Sequence, residues 1–210
     1  PTVLVTGFDP FGDNRVNPSW LAAQALHGRV IAGHRLVAAQ LPTCFGDSLR
    51  QLDAALERHT PRLVLCLGLA GGRTALSLER VAINVDDARI PDNAGAQPVD
   101  TPVVAGGPAA YFGTLPIKAM LQALLGAGVR AEVSQTAGTF VCNHVFYGLM
   151  HRLAQPCWQG VRGGLVHLPW LPGQGQPSMP LENMVAGLAM ALECALATAA
   201  DARLAAGALA

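Results

Sequence analysis

Two residues in this chain stand where a thiol and an imidazole could do acyl-transfer chemistry. Cys142 follows a Gly138-Thr139 turn and falls in the first residues of a predicted helix, Val141 to Leu153. A helix start presents unpaired N–H groups and partial positive charge. Both favour a thiolate, and the same N–H groups can hold the oxyanion of a tetrahedral intermediate. His167 ends an apolar predicted strand, Arg162 to Leu168, as expected of a base at a strand terminus. His144 lies only two residues beyond Cys142, and on a helix residues i and i+2 do not face each other. An imidazole acting as a base needs a third group to orient it. Glu79, Asp86, Asp87, Asp92 and Asp100 all lie in suitable segments, and spacing does not choose among them. Cys66 and Cys194 read as core thiols, Cys44 and Cys157 as loop thiols. Five cysteines without a CxxC pair argue against a disulfide framework and against a structural zinc site. No metal or cofactor is expected.

The elements that must position these groups follow from hydrophobic patterning. Strands are predicted at Thr2 to Thr6, Arg35 to Leu41, Arg62 to Gly68, Val81 to Val85, Arg130 to Thr136 and Arg162 to Leu168. Helices are predicted from Pro18 to His27, Phe45 to His59, Leu115 to Leu125 and Val141 to Leu153. A final helix has Ser178 as its cap and Pro180 in its first turn. The last residues, 204–210, read as frayed. Strand and helix alternate through most of the chain. This implies a three-layer α/β/α fold of the phosphorylase or hydrolase kind, one domain over residues 1–210, with a mostly parallel twisted sheet. Residues 86–110 carry four prolines and no periodicity. A loop of this length in a compact domain is usually a lid, a binding loop or an oligomer arm. Ligands in such folds collect at the carboxyl ends of strands, which is where TGFDPFG, GLAGGR, AGTFVCNH and HLPWLP fall. The glycines of GLAGGR match no full phosphate-binding pattern and read as tight backbone packing.

Composition narrows the partners. With 14 Lys plus Arg against 14 Asp plus Glu, the chain has no field for a polyanion, so nucleic acid is not an expected partner. The Ala- and Leu-rich residues 184–200 are interrupted by Glu193, which argues against a membrane span. No targeting segment is read at the start, and free thiols fit a cytoplasmic location.

Four stretches, in order, resemble the pyroglutamyl peptidase type I family: VLVTGFDPFGDNRVNPSW, GLAGGRTALSLERVAINVDDARIPDNAG, AGTFVCNHVFYGLMH and GLVHLPWLPGQ. The resemblance implies a cysteine peptidase that removes N-terminal pyroglutamyl (5-oxoprolyl) residues from peptides, without metal or cofactor. It implies Cys142 as nucleophile, His167 as base and, from LERVAIN, Glu79 as the orienting acid. It places Arg89 near the reacting carbonyl as support for the oxyanion, and it implies a homotetramer. The substrate ring needs apolar walls, which Phe8, Phe11, Ile90, Phe140 and Val141 can supply, and a donor and acceptor, which the Asn17 amide can supply. One departure stands out: Leu69 occupies a position where the family often has Gln. A nucleoside phosphorylase and a non-catalytic lactam-binding module are the rival readings.

Overall fold

The computed structural model describes residues 1–208. Its first strand, β1 (Thr2–Phe8), is β-branched and almost wholly buried. It pairs in parallel with β3 (His34–Leu41) on one side and β4 (Leu63–Leu69) on the other. β4 in turn pairs in parallel with β9 (Arg162–Leu168). Every residue of β4 is buried, as expected of a strand with helices over both faces. A short β2 (Val30–Ile31) extends the sheet beyond β3, and β5 (Leu76–Glu79) and β8 (Ala131–Ser134) complete the order β2-β3-β1-β4-β9-β5-β8.

Strand alternation divides the apolar side chains between two cores. Val3, Val5, Leu65 and Leu67 pack with α1 (Pro18–Leu26), α3 (Ile117–Gly126) and α5 (Leu181–Ala197). Leu4, Val64, Cys66 and Leu165 pack on the opposite face with α2 (Asp47–His59) and α4 (Val141–Leu153). These are the three layers expected from the alternation of elements, with a mostly parallel sheet.

The departure lies at β5. This strand runs antiparallel to β9, in the register Ser77↔His167 and Leu78↔Val166, and β8 follows β5 in parallel. Residues 86–110 form an arm tied by backbone hydrogen bonds, among them Ala88 N–H to Pro98 O and Asp92 N–H to Ala96 O. It is framed by the pairing of β6 (Val81–Ile83) with β7 (Ala110–Phe112) and by an Asp86↔Thr101 bridge. Its turn is anchored by Asp92, whose carboxylate accepts from the N–H groups of Phe45, Ala94 and Ala96.

Two expectations about the C-terminal part are corrected. Ser178 does not cap α5. Pro180 occupies the cap position with no side-chain bond, while Ser178 is engaged in a bridge to Trp170. The tail is docked through residue 206 rather than frayed from 204. Asp201 accepts from the N–H groups of Lys118 and Ala119 at the start of α3, which has no cap of its own. Lys118 Nζ donates to Leu204 O, and Leu204 and Ala206 pack on the core. Residues 209 and 210 lie outside the described residues.

Candidate active site

Strand register alone brings an imidazole and a carboxylate together. Ser77 lies opposite His167, so Glu79, two residues on, is on the same face and diagonally adjacent to it, within reach of a long side chain. His167 Nδ1 and Glu79 Oε1 are 2.7 Å apart, and both residues are buried. With Nδ1–H donated to the carboxylate, Nε2 is left as the acceptor.

The thiol comes from the layer above that face. Gly138, at φ +76°, turns the chain from β8 into α4, and Cys142 is the second residue of the helix. No side chain caps the first turn. The first intrahelical bond, from His144 N–H to Phe140 O, leaves the earlier N–H groups for a ligand. Gly68 shows how close the two reactive groups are. A Cβ at this position would lie 2.8 Å from Cys142 Sγ and 3.0 Å from His167 Nε2, so the sulfur and the nitrogen are no farther apart than those two distances laid end to end.

The Cys142 thiol is half-buried. Burial, reinforced by the negative charge of Glu79, pushes it up to about 12, with Arg73 pulling the other way. Burial therefore opposes the thiolate that the helix start favours. The Nε2 of His167, on the far side of Gly68, is the nearby acceptor placed to take the thiol proton.

Thiol and imidazole open onto a cavity of ≈210 Å³. Phe8, Phe11, Asn17, Phe140 and Val141 all line it, as does Leu69. Asn17 is largely committed: Oδ1 accepts from Ser19 N–H and Oγ–H as the cap of α1, and Nδ2 donates to Asp9 O. One amide hydrogen is left. Arg89 and Ile90 are not brought to this cavity. They are exposed and line an adjoining pocket of ≈470 Å³ that shares Gly138 and Phe140 with it.

The other carboxylates are placed as well. Asp86 Oδ2 is 2.8 Å from His144 Nδ1, while His144 Nε2 accepts from Gly46 N–H, so this second pair links the arm, α4 and the start of α2. Asp92 anchors the arm, and Asp87 and Asp100 are exposed. Sequence reasoning passed over Arg73, which lines the cavity and donates to Glu79 Oε1 at 2.6 Å. The signal was the GLAGGR loop itself, read only as packing. Gly71 does pack, since a Cβ there would meet the Trp170 ring at 2.3 Å, but the loop also delivers the arginine.

A thiol beside an imidazole that is held by a buried carboxylate, at the carboxyl edge of an α/β/α sheet, defines a cysteine hydrolase. The profile of the pyroglutamyl peptidase family matches residues 1–198. The pyrrolidone-carboxylate peptidase 1 of Ralstonia nicotianae is 59% identical over 214 residues, covering 100% of this chain and 99% of that protein. The pyrrolidone-carboxylate peptidase of Cupriavidus taiwanensis is 59% identical over 208 residues, covering 97% of this chain and 96% of that protein. The crystal structure of pyroglutamyl peptidase I from Bacillus amyloliquefaciens superposes with a TM-score of 0.94 at 44% identity, covering 97% of this chain and 99% of that one. The chain belongs to the pyroglutamyl peptidase family.

Proposed function

We propose that this chain hydrolyses the bond after an N-terminal pyroglutamyl residue of peptides, with Cys142 as nucleophile, His167 as general base and acid, and Glu79 orienting the imidazole. The observation that carries the reading is the cavity itself. Its volume, ≈210 Å³, is below the roughly 300–1,000 Å³ of drug-sized sites and suits a single small ring. Its walls are mainly apolar, and among the described residues that line it none is acidic. An N-terminal ammonium would find no counter-charge there, whereas a neutral lactam needs none.

The chemistry follows from the geometry. As Cys142 Sγ attacks the carbonyl carbon after the ring, the thiol proton passes to His167 Nε2, and Glu79 stabilises the imidazolium. The uncapped N–H groups of α4 face the developing oxyanion. His167 then protonates the leaving amine, and water hydrolyses the thioester. Arg89 lies one pocket away, so a part in holding the oxyanion requires the arm or the Arg89 side chain to move inward.

The same reading includes a cytoplasmic location and a homotetramer. Support for the first is that no helix among the described residues is long and apolar enough to cross a membrane. Support for the second is that the arm and its flanking strand expose Ile90, Val99 and Phe112.

The test compares a pyroglutamyl amide reporter with the matching prolyl amide. The pyroglutamyl compound should be preferred in kcat/KM by several powers of ten, as when a site rejects a substrate lacking a group it hydrogen-bonds. Cys142→Ser should keep the fold and lose nearly all turnover. Equal use of the two reporters refutes the substrate assignment, and an active Cys142→Ser protein refutes the nucleophile.

A further inference from the structure

The buried carboxylate has a second partner that the mechanism above does not use. Glu79 is 1% exposed, and its side chain contacts no water. One oxygen, Oε1, takes both His167 Nδ1 at 2.7 Å and Arg73 Nη1 at 2.6 Å, while Oε2 has no partner. A carboxylate in this position keeps its charge only beside a counter-charge. With His167 neutral, as a general base must be, Arg73 is the one cation bonded to it among the described residues.

Arg73 has a second attachment. Nη2 donates to Thr136 O at 2.9 Å. Thr136 lies in the loop between β8 and α4, and its Oγ1 accepts from the N–H of Gly138, where the chain turns towards Cys142. One guanidinium therefore joins the carboxylate that aims the base to the loop that delivers the nucleophile. The fork of Arg fits two such acceptors at once, and a lysine ammonium on its flexible stem does not. The local backbone is built for this. Gly71 tucks under Trp170, Gly72 turns at φ +89°, and Arg73 follows directly.

We propose that Arg73 is a positioning residue for the hydrolysis: it pairs with the Glu79 carboxylate beneath His167 and holds that carboxylate in register with the Cys142 loop. The proposal rests on the triad assigned above. A merely structural ion pair at this place would affect stability and leave the protonation behaviour of the reactive pair alone.

Glu79 is bonded to both Arg73 and His167, so replacing the guanidinium takes an opposite charge from beside the acid–base pair. In Arg73→Gln the acid limb of kcat/KM should therefore move to higher pH, by about 1–3 units for an opposite charge lost at this range. The pH profile of iodoacetamide labelling at Cys142, followed by peptide mass spectrometry, should move with it. This readout needs no pyroglutamyl substrate. It separates failure of the proposal from failure of the substrate assignment. Arg73→Lys should retain the wild-type acid limb and lose roughly tenfold or more in kcat with little change in KM, because the charge stays and the fork goes. In a Glu79→Gln background the shift caused by Arg73→Gln should largely vanish, since residues acting through one another are not additive. A folded Arg73→Gln protein with wild-type acid limbs in both assays overturns the proposal. So does the same shift persisting without Glu79. Should Arg73→Gln not fold, an Arg73→Lys enzyme with wild-type kcat overturns the positioning role.

Discussion

Gly68 offers a direct test of how tightly the reactive pair is built. It sits in β4 opposite His167, on the face that meets α4. In Gly68→Ala the new methyl would lie 2.8 Å from Cys142 Sγ, 2.9 Å from His167 Cδ2 and 3.0 Å from Nε2. Ordinary contacts of this kind are about 3.5–4.0 Å, so on the order of half an ångström to one ångström must be found. The backbone is poorly placed to supply it. β4 is paired through β1 and β9, and moving Gly68 drags its partner His167 along. The sulfur and the imidazole must therefore separate. Misplacing reacting groups by about 1 Å can cost about 10²-fold in rate, or roughly 2.7 kcal/mol of barrier. Overpacking should cost a further 1–3 kcal/mol or so of stability. The assay is kcat/KM on the pyroglutamyl reporter, with thermal melting in parallel. Gly126→Ala is the control: nothing lies within 4 Å of its Cβ, and it is the last residue of α3. It should keep full activity and gain up to about 1 kcal/mol of stability. A Gly68→Ala enzyme that is folded and within about threefold of wild type would show that Cys142 and His167 are not pressed together across Gly68, and the geometric case for the pair would fail.

Glu79→Gln keeps the shape of the side chain and removes its charge; kcat should fall by on the order of 10² to 10⁴ with KM little changed. Asp86→Asn alters the other buried His–carboxylate pair, at His144, and should lower the melting temperature more than kcat. Equal kinetic losses in the two variants would refute the assignment of Glu79 as orienter. Stability should also fall at alkaline pH. Burial pushes the Cys66 thiol up to about 12 from 9.0, so the unfolded chain ionises first and the folded state loses ground as pH rises from 9 towards 12. The loss is up to about 1.4 kcal/mol per pH unit for this thiol. Cys66→Ala should start less stable and decline less steeply in pH-dependent melting, and identical slopes would refute the attribution.

What was legible in the sequence follows from the length and punctuation of each element. β9 and α4 have the bounds read from their apolar patterns, because each is long and closed by turn residues. β1 and β4 run one to two residues past the reading, into the glycines and apolar residues that end them. β5 was missed. Four residues, LSLE, are too few to show a period, and what makes them a strand is long-range pairing with β9 and β8. The cap at Ser178 failed for a related reason. Its sequence context suits a cap, but its backbone is used by Trp170. In the site, the residue types named from the sequence line the cavity wherever they lie on β1, the following loop or α4, and Arg89 and Ile90, on the arm, do not.

The missing strand explains why the carboxylate could not be chosen from spacing. Among the described residues two buried acidic side chains bond to histidines, Glu79 to His167 and Asp86 to His144, and nothing local distinguishes them. Direction does. β9 runs towards the cavity, and His167 is one residue from its end. Because β5 runs the opposite way, it starts at the cavity edge and descends beneath it. Arg73, just before the strand, stays at the rim, and Glu79, at its end, lies under the imidazole with no solvent contact. A parallel β5 would carry its last residue up to the mouth, where water would screen the charge and substrate would compete for it. The antiparallel insertion therefore buries the Glu79 carboxylate below the His167 imidazole and keeps the Arg73 guanidinium within reach from above.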